Sequence, residues 1–177
     1  MNRYAAGNGT RNKWLSCMAN ANEFIEVDVS NEIIKDFFVK WKALNGEYKR
    51  MFQGEDVHLP FPDKVQKQLV MDYLNPVLIN KVSDKEKNRT WDFDNCTELK
   101  SVTSEKGVVP FKATQKDCKR VLFMEITDEI KCYDIDVDKN RKLKDEIKKA
   151  DGITRKQVSI KLMDYIKGSK CYKFKLE

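Results

Sequence analysis

From Ser30 onward the apolar residues Ile33, Ile34, Phe37, Phe38, Trp41, Leu44 and Tyr48 recur every three or four positions, with Lys35, Lys40 and Lys42 on other faces. The spacing predicts an amphipathic helix capped by Ser30 and interrupted or ended near Asn45-Gly46. Residues 53–62 carry Gly54, Pro60 and Pro62 and predict a loop. Asp63 with Gln66 three residues on predicts a capping-box start to a second helix. That helix buries Val65, Leu69, Tyr73 and Leu74 and kinks or restarts at Pro76.

Beyond the polar turn Ser83–Asn88 the period changes from helical to alternating. Trp91-Asp92-Phe93 and Thr97–Val102 predict two strands joined by the tight turn Asp94-Asn95-Cys96. A glycine-containing loop, Ser104–Pro110, leads to a short helix over Thr114–Lys119. The apolar run Val121–Ile126 predicts a strand covered on both faces, turning at Thr127–Glu129 into a hairpin partner, Ile130–Val137. Lys139–Ala150 predicts a charged helix closed by Asp151-Gly152, and Gln157–Ile166 and Cys171–Leu176 predict final strands. The fold class is α/β (α+β): a central mixed β-sheet flanked by helices, with no internal repeat. Residues 1–22 show no apolar period and read as a flexible N-terminal arm before a single domain, 23–177.

Composition narrows the classes. A chain of 177 residues, 41% apolar and 35% charged, fits one compact domain and argues against a coiled coil, a collagen or a disordered tail. A net charge of +6 suits a polyanionic partner. The five cysteines, Cys17, Cys96, Cys118, Cys132 and Cys171, form no CxxC pair, which argues against zinc and for a reducing cytosol. No apolar run is long enough to span a membrane, and the opening Met1-Asn2-Arg3-Tyr4 lacks a signal-peptide core, so the expected location is cytoplasmic. His58 is the only histidine, so nucleases and proteases that need several are excluded and carboxylates and lysines become the candidates for hydrolytic chemistry.

The acid-x-Lys pattern occurs five times, at Glu47, Glu98, Asp117, Glu129 and Glu146, close to the roughly four that chance gives, so context must select among them. Glu98-Leu99-Lys100 alone lies on a predicted strand behind a turn that brings back another acid, Asp92. Alternation along a strand puts Glu98 and Lys100 on one side. Two carboxylates and a backbone carbonyl supply the hard oxygen ligands Mg²⁺ prefers, and a lysine beside them orients water and neutralises developing charge. The plainer role for Asp92 is to cap the hairpin turn.

Asp92-Phe93 followed by Thr97-Glu98-Leu99-Lys100-Ser101-Val102 resembles the active-site hairpin of the PD-(D/E)xK nuclease superfamily, with a compact spacing similar to its mismatch-repair members. The wider stretch, with Val109-Pro110-Phe111-Lys112 and Cys118–Met124, resembles the small type II restriction endonucleases that cut GCNGC sites. The resemblance implies a restriction-endonuclease-like core and a Mg²⁺-dependent, homodimeric endonuclease. It would cut double-stranded DNA at a short palindrome in a prokaryotic cytoplasm, leaving 5′-phosphate ends. It also implies Asp92 and Glu98 as metal ligands and Lys100 as the catalytic lysine. No proline precedes Asp92 and its spacing to Glu98 is short, so Asp84 is the alternative first acid and Asp94 a third choice.

DNA-contact candidates are Ser101, Thr103, Lys106, Lys112, Gln115, Lys116, Lys119 and Arg120 after the active-site strand. A second set is Arg155, Lys156, Gln157 and Ser159, and Arg3, Arg11 and Lys13 form a basic arm. Phe37, Trp41, Tyr48 and Trp91 read as core and dimer packing, His58 as a loop residue, and Asp134, Asp136 and Asp138 as one edge strand. The rival functions are a structure-selective repair or junction nuclease and a non-catalytic DNA-binding protein.

Overall fold

The computed structural model describes residues 24–52, 57–83, 91–104 and 106–176. The predicted arm 1–22 with Arg3, Arg11, Lys13 and Cys17 lies outside them, as do residues 53–56 of the loop and Asp84.

A five-stranded mixed sheet forms the centre. It consists of β1 (Phe24–Asp28), β2 (Thr97–Val102), β4 (Arg120–Ile126), β5 (Ile130–Asp136) and β7 (Lys170–Lys175) in the order β1-β7-β5-β4-β2. β2 runs parallel to β4 and β1 parallel to β7, while β5, between β4 and β7, runs antiparallel to both. β3 (Val109–Lys112) and β6 (Gln157–Ile160) pair antiparallel as a separate small sheet. β4 is covered on both faces: Val121 to Ile126 are all buried, Glu125 among them, as a run apolar at every position but that one requires.

On one face of the sheet pack α1 (Glu32–Met51), α2 (Asp63–Gln68) and the turns that follow, through Ile34, Phe38, Trp41, Leu69, Val70 and Leu74 against Leu122, Met124 and Tyr172. On the other face α3 (Arg141–Lys148) and the small sheet pack Leu143, Ile147, Phe111 and Ile160 against Val121, Phe123 and Tyr133.

Local differences from the sequence reading have physical causes. Asn31, one residue past Ser30, caps α1, its side chain accepting from Ile33 and Ile34. α1 runs through Gly46 to Met51 because Asn45 is buried with its Oδ1 accepting Leu59 N–H at 2.8 Å, and Trp41 Nε1 donates to Pro60 O. No capping box forms at Asp63; Pro62 precedes the helix and Gln66 donates to Phe61 O at 2.7 Å. The helix then widens into a π turn, Leu69–Leu74, and tightens into a 3₁₀ turn, Asn75–Val77, since Pro76 has no N–H for the α ladder. Ser104–Pro110 is not one loop: it runs into β3, and the helix expected over Thr114–Lys119 is only a 3₁₀ turn, Ala113–Gln115. The strand expected over Gln157–Ile166 ends at Ile160 and continues as a 3₁₀ turn, Leu162–Tyr165. β5 is central rather than an edge. Its Asp134 clamps Arg120, and Asp136 accepts Lys139 N–H. Trp41 is buried in the core, while Phe37, Tyr48 and Trp91 are half-buried. No described helix is long and apolar enough to cross a membrane.

Two glycines test this packing in opposite directions. A Cβ on Gly46 meets nothing within 4 Å, whereas on Gly107 it falls 2.7 Å from Val102. Gly46→Ala is expected to raise stability by about 0.5–1 kcal/mol through helix propensity. Gly107→Ala is expected to lower it, and denaturant unfolding of both variants reads the opposed signs.

Candidate active site

The site is built on β2, the end strand of the sheet among the described residues. β2 opens from a tight turn in which Asn95 and Cys96 take φ of 53° and 56°, the mirror-image geometry that hairpin turns favour. Thr97 N–H donates to Asp94 O and Phe93 N–H to Thr97 O, both at 3.1 Å. The predicted first strand, Trp91–Phe93, is reduced to a single bridge between Phe93 and Thr97. The turn returns Asp92 to the edge of β2, where its Oδ2 accepts Leu99 N–H at 3.0 Å and its Oδ1 faces Lys67 Nζ at 3.4 Å. The Leu99 N–H, on a strand that pairs only with β4 among the described strands, thus finds its acceptor in Asp92.

Alternation along β2 sends Glu98 and Lys100 to the face where Val121 and Phe123, their register partners on β4, also point. Glu98 is only 1% exposed. Its Oε2 accepts from Lys100 Nζ at 3.0 Å and from Gln115 Nε2 at 2.6 Å, while its Oε1 is buried without a hydrogen-bond partner among the described residues. Burial, aided by the Asp92 charge, pushes the Glu98 carboxyl up to about 6 against the downward pull of Lys100 and Gln115. Lys100 Nζ also lies 3.4 Å from Gln115 Oε1 and 5.0 Å from the centre of the Phe111 ring. Gln115 Oε1 in turn accepts Lys112 N–H at 3.0 Å.

Gln115 therefore belongs to the carboxylate–lysine cluster, buried in it, rather than on the exposed surface expected of a DNA contact. The signal for this was its position three residues after Lys112, the spacing at which a glutamine side chain reaches back to a helix-entry N–H. Nearby Cys118 is no candidate nucleophile, because burial and the Glu98 charge push its thiol up to about 12. Asp94, the third choice of acid, is spent on Ser83, accepting from its Oγ at 2.6 Å and its N–H at 3.2 Å. Asp84 lies outside the described residues. No group of three His, Cys, Asp or Glu side chains that could hold a metal converges among the described residues.

The surface candidates separate. Ser101 sits on the face of β2 opposite Lys100, and Thr103 lies in the bend beyond the strand. Lys106, Lys112, Lys116, Arg155 and Lys156 are exposed, and Lys112 and Lys156 both line a hollow of about 430 Å³. Lys119 stands apart, at the end of the large sheet. Arg120 is corrected from a DNA contact to a structural residue, since its guanidinium binds both oxygens of Asp134 and the carbonyl of Asn80.

No family model, curated protein or solved structure matches this chain.

Ionising Glu98 opposes folding in metal-free protein, because its folded value of about 6 lies above the ordinary 4.5. The penalty is absent below about pH 4.5, grows through pH 6 and is complete above it. Glu98→Gln is therefore expected to raise the unfolding free energy in EDTA by about 2 kcal/mol at pH 8 and by nothing at pH 4, read by urea unfolding across that range.

Proposed function

We propose that the chain is a Mg²⁺-dependent endonuclease that hydrolyses phosphodiester bonds of double-stranded DNA. On this reading it has a PD-(D/E)xK core and acts as a homodimeric type II restriction enzyme on a short palindromic site. The observation that carries this reading is the buried Glu98 carboxylate, with one oxygen held by Lys100 and Gln115 and the other left without a donor. A buried carboxylate oxygen normally finds a partner, and an unsatisfied one that feels the charge of a second carboxylate, Asp92, fits a hard cation. Asp92 and Glu98 would hold Mg²⁺, an ion that keeps several waters and needs only one or two protein carboxylates. Bound there, Mg²⁺ supplies an acidified water and stabilises charge on the phosphoryl group.

The protein's own residues do the rest. Lys100, drawn to Glu98 and Gln115, presents a fixed positive charge that orients water and offsets the negative charge developing on the phosphoryl oxygens. Gln115 donates to Glu98 and accepts from Lys100, so it fixes both side chains in one arrangement. Its bond to Lys112 N–H ties that arrangement to the end of β3.

Plasmid digestion by the purified chain tests the reading. Discrete fragments are expected with Mg²⁺ and none with EDTA, and Glu98→Ala is expected to abolish them. Lys100→Ala is expected to lower the cleavage rate by about 10²-fold or more while leaving DNA affinity nearly unchanged. Cleavage of branched DNA alone would favour a junction nuclease. No cleavage of any DNA, or full cleavage by Glu98→Ala, would overturn the assignment.

A further inference from the structure

A cleft of about 760 Å³ lies at the end of the large sheet, lined by residues from the start of β4, the finish of β5, the entry to α3 and the turn before β7. Seven basic and three acidic side chains line it. All three acids are engaged: Asp134 by Arg120, Asp136 by Lys139 at 3.2 Å and Asp138 by Lys144. Lys119, Arg141, Lys142 and Lys167 also line the cleft and are exposed, and none of them forms an ion pair among the described residues.

Two of these cations work against the helix that carries them. Arg141 and Lys142 occupy the first turn of α3, which carries no acid, and a helix N-terminus disfavours positive charge. A local arrangement that works against stability marks a surface shaped by something other than the fold.

The cleft and the candidate active site share one end of the sheet. Thr97 of β2 is in register with Arg120 of β4, and Lys119 N–H donates to Cys96 O in the turn that opens β2. From β2 through β4 and β5 to β7 is three strand spacings, roughly 14 Å, which matches the axial reach of about four phosphates of one DNA strand.

We infer that this cleft holds the sugar-phosphate backbone of the duplex beside the scissile bond, with Lys119, Arg141, Lys142 and Lys167 on its phosphates. The choice of duplex DNA as the polyanion rests on the nuclease reading. Phosphate contacts position a duplex without reading its sequence, so the cleft supplies affinity and orientation while recognition lies elsewhere.

The test is fluorescence anisotropy of a labelled duplex oligonucleotide in EDTA, with the full chain and a series of salt concentrations. Arg141→Ala/Lys142→Ala/Lys167→Ala is expected to weaken binding at least about tenfold at moderate salt and to reduce the salt slope by about two to three. Lys40→Ala/Lys49→Ala/Arg50→Ala removes equal charge from α1, across the sheet, and is expected to change both far less. Thermal melting of the cleft variant is expected at or above that of the parent, since two cations leave a helix N-terminus. Equal weakening by the two triple variants, or unchanged binding by the cleft variant, overturns the inference even if the enzyme cleaves DNA. Selective weakening supports it even if no DNA is cut, in which case only the nuclease reading fails. Absence of duplex binding by the parent overturns it as well.

Discussion

A single buried carboxylate governs the arrangement of this molecule's candidate site. Glu98 sits in the protein interior on the last strand of the sheet among the described residues, and taking such a charge out of water is expensive unless it is paired and hydrogen-bonded. Lys100 and Gln115 supply that compensation on one oxygen and leave the other uncompensated. A structure selected for stability alone would place an apolar residue here, as at Val102 on the same face of β2. The surroundings of Glu98, down to the reach of Gln115 from a 3₁₀ turn, hold one oxygen, leave the other without a donor and on balance disfavour the ionised form.

The fold provides this arrangement economically. The parallel pairing of β2 with fully buried β4 anchors the strand, so Glu98 and Lys100 lie on a rigid element. The crossover from β2 to β4 carries β3 and Gln115 over the same face. On the strand's free side the hairpin turn delivers Asp92, which satisfies the Leu99 N–H and contributes the negative charge felt by Glu98. The same turn touches Lys119, so the carboxylate site and the basic cleft share one end of the sheet.

Much of this was legible in the amino-acid sequence because it depends on local pattern. The two-residue period through Thr97–Val102 puts Glu98 and Lys100 together, and the apolar run Val121–Met124 of β4 announces a covered strand. Contacts between distant segments were hidden. Nothing near Asn45 shows that Leu59 needs its side chain, so α1 outlasts the Asn-Gly stop signal. Gln115 looked like a surface polar residue because its partners, Glu98 and Lys100, lie about fifteen residues away across a crossover. Arg120 looked free because Asp134 meets it only through antiparallel pairing of β4 with β5.

The central claim is that Asp92 and Glu98 form one divalent-cation site, and a paramagnetic titration tests it most directly. Mn²⁺, a hard oxygen-seeking stand-in for Mg²⁺, is added to the chain and to its Asp92→Asn and Glu98→Gln variants while the resonance of the free ion is followed. The account predicts that the parent chain removes Mn²⁺ from solution above pH about 6, that Mg²⁺ displaces it, and that both variants lose the binding. Equal uptake by all three proteins, or none by the parent, would contradict it.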